Sequence, residues 1–323
     1  MDPALHQLHQ HLGVRAPLLG GGALDGHGTV LPVALHEVGN AVALVAVAAS
    51  SYAQLDPSKI KSISISKTNS NAAITATREI GRSSLECVYK AEYPEKGDGE
   101  VRSKEDRMIL QIDGGVTKFY SHYDFALDSL RKADRDGFIT NMNNLKHGTK
   151  CCIYRDRPEA GRMILTDAVG SMYYRVEEEI PEQEWTIGDQ TREVLGYECR
   201  RADCDFRGRR YTAWFAEEIP ASVGPWKFGG LPGLIMAVSD SEGEYTFEII
   251  GLQSAERPIE YADRNYINAT REKYLRQKHL YVNDPVGYGV RAGDMKIELV
   301  DGETYDPEES GTAIEMMETD YKH

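Results

Sequence analysis

Short stretches rich in β-branched and aromatic residues recur along this chain, each closed by Gly, Pro, Asp or Asn, and that rhythm constrains the fold most. Arg107 to Ile112 (RMILQI), then Asp113-Gly114-Gly115, then Val116 to Tyr120 (VTKFY), predicts a hairpin with glycine in its turn. Cys151 to Tyr154 and Arg162 to Leu165 predict a second, around a turn containing Pro158. Ser171 to Glu178 follows as a strand with mixed faces. Glu184 to Ile187 pairs with Glu193 to Asp205 across Gly188-Asp189-Gln190, and Arg207-Gly208-Arg209 turns the chain into Arg210 to Phe215. Glu244 to Ile250 (EYTFEII) alternates polar and apolar residues, as a strand with one buried face should.

Helical periodicity is confined to two places. His122 to Ala133 predicts a helix with Phe125 and Leu130 inward. Thr270 to Tyr281 predicts another, capped by Asn268 or Thr270, with Tyr274, Leu275 and Leu280 buried. Consecutive strands with about two helices imply a mainly β, α+β fold: a curved antiparallel sheet, half-barrel-like, rather than alternating βα units. Eighteen tyrosines against seven phenylalanines suit strands with one wet face. The domain is expected over 54–300, followed by a solvated acidic tail over 301–323, where the sequence reads DGETYDPEES.

The first 53 residues differ from the rest, with no Lys and one Arg. Ala41 to Ala49 (AVALVAVAA) is too short to span a bilayer, which takes roughly 20 residues, but suits a signal-peptide core. Ser51-x-Ala53 offers the small residues of a cleavage site, so Ala53 and Gln54 are the expected cleavage pair. No basic residue stands just before the apolar run, so residues 1 to about 35 read as a start placed too far upstream or a non-native extension. Export to the periplasm, the outer envelope or the extracellular space follows as an expectation. A net charge of −14 argues against nucleic acid, whose phosphates need clustered Lys and Arg. No later apolar run reaches spanning length, so an integral membrane protein is not expected.

Cys87, Cys151, Cys152, Cys199 and Cys204 all follow that leader. They form no C-x-x-C pair and the histidines are scattered, so no metal site is expected. Cys199 and Cys204 would point to opposite faces of one strand, about 16 Å apart, too far for a direct bridge. A bridge from Cys199 to Cys151 or Cys152 is the expected disulfide. Arg200, Arg201, Arg207, Arg209 and Arg210 are expected to pair with neighbouring acids rather than bind an anion, and Glu177 to Glu179 to form a solvated strand end.

The most unusual stretch is Gly224 to Ile235, GPWKFGGLPGLI. Pro232-Gly233 predicts a type II turn with positive φ at Gly233. Lys227 precedes the glycines and no Gly-Lys-Ser/Thr follows, which excludes a phosphate cradle. Two roles suit the loop. It can clasp the sheet, burying Trp226 and Phe228. Alternatively Trp226, Lys227, Phe228, Leu231, Pro232 and Gly233 can present a binding surface.

With Gly196-Tyr197-Glu198-Cys199, Ala202, Phe206-Arg207-Gly208-Arg209, Ala213-Trp214-Phe215, Glu218-Ile219-Pro220, Gly224-Pro225 and Gly230 to Ile235, the chain resembles the GLPGLI family of exported proteins of Bacteroidota-type bacteria. Phe119-Tyr120-Ser121 and Asp128-Ser129 add to the resemblance, which runs from about Ile63 to Tyr281. It implies a cell-envelope location and no assigned activity. No catalytic residue and no cofactor is nominated: Ser, His and Asp are present, but without a Gly-x-Ser-x-Gly elbow nothing nominates a triad. The expected function is non-enzymatic binding of an envelope protein, a peptide or an apolar ligand. The alternative is a hydrolytic enzyme using a Cys or paired acids.

Overall fold

The computed structural model describes residues 60–65, 71–97, 100–134, 146–302 and 313–322. The expected signal peptide, with Ala53 and Gln54, lies outside them. The chain runs β1 (Ile60–Ile65), β2 (Ile74–Gly97), β3 (Glu100–Asp113), β4 (Val116–Ser121), α1 (His122–Ala133), β5 (Cys152–Arg155), β6 (Arg162–Val169) and β7 (Met172–Glu179). It continues through β8 (Thr186–Val194), β9 (Tyr197–Phe206), β10 (Arg209–Ala216), β11 (Leu234–Asp240), β12 (Thr246–Arg264), β13 (Ile267–Ala269), α2 (Arg271–Asn283), α3 (Pro285–Arg291) and β14 (Met295–Leu299).

Twelve strands form one open, curved sheet in the order β13-β7-β6-β5-β4-β3-β2-β12-β11-β10-β9-β8. Every pairing is antiparallel except the short β13, which runs parallel to β7. This is the mainly β fold with covering helices that the strand rhythm predicts, with a third helix added. α3 is seven residues long and carries two glycines, too weak a pattern for periodicity to reveal. Its Val286 packs on Met295 and Ile297 of the small β1–β14 sheet.

The hairpins of the first half fall where the turns predict, and Thr270 caps α2 by accepting from Lys273 N. Three local expectations change. Gly188-Asp189-Gln190 is not a hairpin turn but a register shift within β8, which turns into β9 only at Leu195-Gly196. On α1 the inward face is Tyr123, Ala126 and Leu127, leaving Phe125 half exposed. On α2, Tyr274 and Leu275 are buried but Leu280 is exposed. On α1 tertiary placement chose neighbouring positions, whereas on α2 the expected face is kept and only Leu280 falls off it.

β2 and β12, at 24 and 19 residues, outrun their neighbours. β2 meets β3 only from Leu85 onward, and β12 meets β11 only over Thr246 to Glu248, so their far halves pair only with one another. Register shifts at Ser254/Arg257 and Ile259/Glu260 bend this two-stranded arm. Tyr261 of the arm packs edge-on against Tyr154 of β5, ring centroids 4.8 Å apart. The main core gathers inward residues of β2 to β12, the loop before β11, and α2.

Residues 313–322 form no helix or strand, but they are not the solvated tail that their acidity suggests. Ile314, Glu318 and Tyr321 are buried, and Met316 and Met317 pack against the core. Over these residues the acidic side chain is buried because cations on another element meet it, while 303–312, which hold most of the acidic run, lie outside the described residues.

Candidate functional site

The segment between β10 and β11 is drawn tight by its own backbone. Ile219 N donates to Ala216 O, Phe228 N to Pro225 O at 3.1 Å, Gly230 N to Ser222 O, and Ile235 N to Val223 O. Trp226 occupies the Pro225–Phe228 turn at φ +53°, a conformation that strains any residue with a Cβ. The positive φ expected at Gly233 falls at Gly230 instead. Gly233 is required for a different reason: a Cβ there would lie 2.2 Å from the carbonyl oxygen of Ala216.

The loop's side chains turn inward. Phe228 stacks edge-on with Tyr211 (4.8 Å) and Trp226 (5.2 Å), and also contacts Phe206 and Trp185. Trp185 Nε1 donates to Gly229 O at 2.8 Å, and Gln183 Oε1 accepts from Gly229 N. Of the proposed binding-surface residues, Lys227, Phe228, Leu231 and Gly233 are buried, Trp226 is partly so, and Pro232 is exposed. The loop is thus built as a clasp, and an outward display of stacking rings and a cation is not what these residues make.

Lys227 is only 1% exposed, which a lysine tolerates only when paired. Its Nζ meets Glu178 Oε1 at 2.5 Å and Glu318 Oε1 at 2.7 Å. Arg207 Nη2 meets Glu178 Oε2 at 2.6 Å, and Arg271 of α2 pairs with Glu318 and Asp320. Burial opposes ionisation of Glu318, but the charges of Lys227 and Arg271 outweigh it and hold its carboxyl below the usual range. Five segments therefore meet at one buried ionic knot: the end of β7, the β9–β10 turn, the loop, α2 and residues 313–322. Glu178 belongs to this knot and not to a solvated strand end. The arginine cluster pairs with acids as expected, Arg200 with Glu217, Arg201 with Asp203 and Arg209 with Asp240.

Two further buried carboxylates anchor other elements. Asp167, fully buried on β6, accepts from Tyr274 OH at 2.7 Å and pairs with Lys278 Nζ at 2.6 Å, fastening α2. Asp106 on β3 accepts from Arg107 N, Ser121 Oγ, Thr149 N at 2.8 Å and Tyr93 OH. Burial pushes its carboxyl up despite those donors.

All five cysteines are free thiols. The expected bridge from Cys199 to Cys151 or Cys152 is not formed: β9 and β5 stand seven strand positions apart in the sheet. Cys199 and Cys204 do take opposite faces, as their odd spacing implies, because β9 keeps an unbroken register from Tyr197 to Phe206, and both are buried all the same. Burial pushes the thiols of Cys87 and Cys204 up to about 12 and that of Cys199 to about 11, and raises Cys151 and Cys152 as well. Thiols held this way are poor nucleophiles. Among the described residues no group of three His, Cys, Asp or Glu side chains could hold a metal ion.

Sequence reasoning found the loop and Arg207 but missed Glu178, Arg271 and Glu318 as its partners. The available signal was Lys227 itself, a cation inside an apolar run, which demands a carboxylate from elsewhere.

Residues 205–237, the stretch holding the β9–β10 turn and the loop, match a family described as a protein of unknown function (Porph_ging). No curated protein matches the chain. Among solved structures, two crystal forms of PNGF-II align at 13% identity and a TM-score of 0.40, covering 60% and 61% of this chain. The chain spans about one third of the length of those proteins, 33% in each case. A domain from Vibrio parahaemolyticus assigned as an outer membrane lipoprotein-sorting protein aligns at 8% identity and a TM-score of 0.19, covering 54% of this chain and 85% of that one.

Proposed function

We propose that this chain is an exported cell-envelope protein of the GLPGLI type that works by binding a partner protein or peptide rather than by catalysis. One observation carries the reading: the buried carboxylates Asp106, Asp167 and Glu318, with the largely covered Glu178, are each spent on fastening one element to another. A catalytic acid needs a free face toward substrate, and a nucleophilic thiol needs an environment that favours thiolate. The residues beneath the loop are filled by aromatic rings, which favours a protein or peptide partner over an apolar small ligand. The apolar run Ala41 to Ala49 and the motif match over 205–237 support the envelope location and the kinship. Among the described residues no helix is long and apolar enough to cross a membrane.

The test combines binding and turnover. Protein purified from its native envelope should carry a stoichiometric protein or peptide by native mass spectrometry. It should leave chromogenic ester, peptide and glycoside substrates intact and resist thiol alkylation at neutral pH until denatured. Turnover abolished by Cys151→Ala or Asp167→Asn would instead establish the hydrolytic alternative.

A further inference from the structure

Residues 313–322 lie on the domain as a peptide ligand would. They form no β ladder, and their main chain is held largely by side chains of the domain. Tyr245 OH donates to Glu315 O at 2.7 Å, Arg209 Nε to Met316 O at 2.9 Å and Tyr211 OH to Met317 O at 3.0 Å. Asn283 Oδ1 accepts from Ile314 N at 2.6 Å, and Thr319 N donates to Arg207 O at 2.9 Å. The floor of this track is Gly208, where a Cβ would lie 2.2 Å from Thr319 Oγ1 and 2.9 Å from Asp320 N. Side-chain donors aimed at backbone carbonyls, above a glycine floor, are how a cleft reads a peptide.

The charges point the same way. Without this segment Lys227 and Arg207 still pair with Glu178, and the exposed Glu272 lies near Arg271 and Arg207, but Lys227 loses one of its two carboxylates and Arg271 loses both of its ion-pair partners. Glu318 and Asp320 supply those carboxylates. Buried cations without counter-charge are costly, so the domain is built to be completed by an acidic strand. Apolar residues flank those acids: Ile314 and Tyr321 are buried, and Met316 and Met317 pack partly against the core.

We infer that the track over Gly208, Lys227 and Arg271 is a peptide-binding site, filled here in cis by residues 313–322. Its ligand in trans is an acidic segment of a partner protein, with a carboxylate placed to reach Lys227 and Arg271 and apolar residues on either side. The chain's own segment is then an intramolecular competitor that the partner displaces. This deepens the partner-binding reading and rests on it.

The probe is a fluorescein-labelled synthetic peptide of residues 313–322, followed by anisotropy with the full chain. In a Glu318→Gln chain, whose own segment has lost its central charge, the peptide should bind at least about tenfold more tightly than in wild type, and more weakly as salt rises. A Glu318→Gln peptide, or a Lys227→Met exchange in the Glu318→Gln chain, should remove that binding. Equal affinity for the two peptides would overturn the site. Should the Glu318→Gln chain fail to fold, hydrogen exchange on the wild-type chain decides. Excess peptide should strip protection from the amides of 313–322 while the loop at 224–235 stays protected, and unchanged protection at saturating peptide would overturn the inference. A native co-purified partner that binds without disturbing 313–322 would reject this site and leave the partner-binding reading standing.

Discussion

Two regions of this molecule rely on ion pairs, with opposite consequences. In the β2–β12 arm, Arg78 meets Asp263 at 2.6 Å and Arg82 meets Glu79 at 3.1 Å, all on a surface open to water. Around the loop, Lys227 meets Glu178 and Glu318 at similar distances but with almost no exposure. Geometry alone would rank the two alike. In the arm water already solvates each charge, and forming the pair gains little. At the knot the charges have given up that solvation, so removing one partner strands the others. The arm therefore tolerates change, and the knot holds five segments together.

The largest effect that would sharpen this contrast is at the knot. Lys227→Ala should lower unfolding free energy by about 3–5 kcal/mol in urea titrations. A loss no greater than that of an arm variant would break the comparison. Next, Gly233→Ala should cost about 1–3 kcal/mol, because the new methyl meets the Ala216 carbonyl, a backbone atom that cannot swing aside.

Acid should separate the regions further. Glu318 has a lowered carboxyl pKa, so its contribution is complete above the usual glutamate value of 4.5 and is lost as pH falls through the lowered value. Arg207, Lys227 and Arg271 face Glu318, with Glu178, Glu272, Asp320 and Tyr321 nearby, so protonating Glu318 removes a carboxylate that all three cations contact. Intrinsic tryptophan fluorescence, with Trp226 lying on this knot, should change in that acid range before the far-ultraviolet signal of the sheet does. Simultaneous loss of both signals would mean the knot has no independent stability. The smallest effect belongs to the arm: Arg78→Ala should change stability by no more than about 1 kcal/mol, and added salt should erase it.

The candidate site was half legible. The unusual composition of Gly224 to Ile235 marks it, and the clasp follows from so many apolar residues between glycines. What the loop clasps was not legible. Glu178 looked like one acid in a solvated run and Glu318 like part of an acidic tail, because burial of a carboxylate depends on what arrives from elsewhere in the chain. The cysteines teach the same point. Odd spacing puts Cys199 and Cys204 on opposite faces of β9, and the unbroken register keeps them there, yet both are buried, which spacing alone does not record.

By itself the sequence determined the local elements: the hairpins of the first half, the Thr270 cap, the tight turn at Arg207-Gly208 and the β class of the whole. Those depend on alternation, turn chemistry and capping, which act over a few residues. Only the tertiary structure decided the strand order, the bend of the β2–β12 arm, the faces of the helices and the partners of Lys227. Each joins residues far apart in the chain, 49 positions from Glu178 to Lys227 and 47 from Arg271 to Glu318. Nothing local records such a contact, since it exists only once the sheet has brought both partners out of water together.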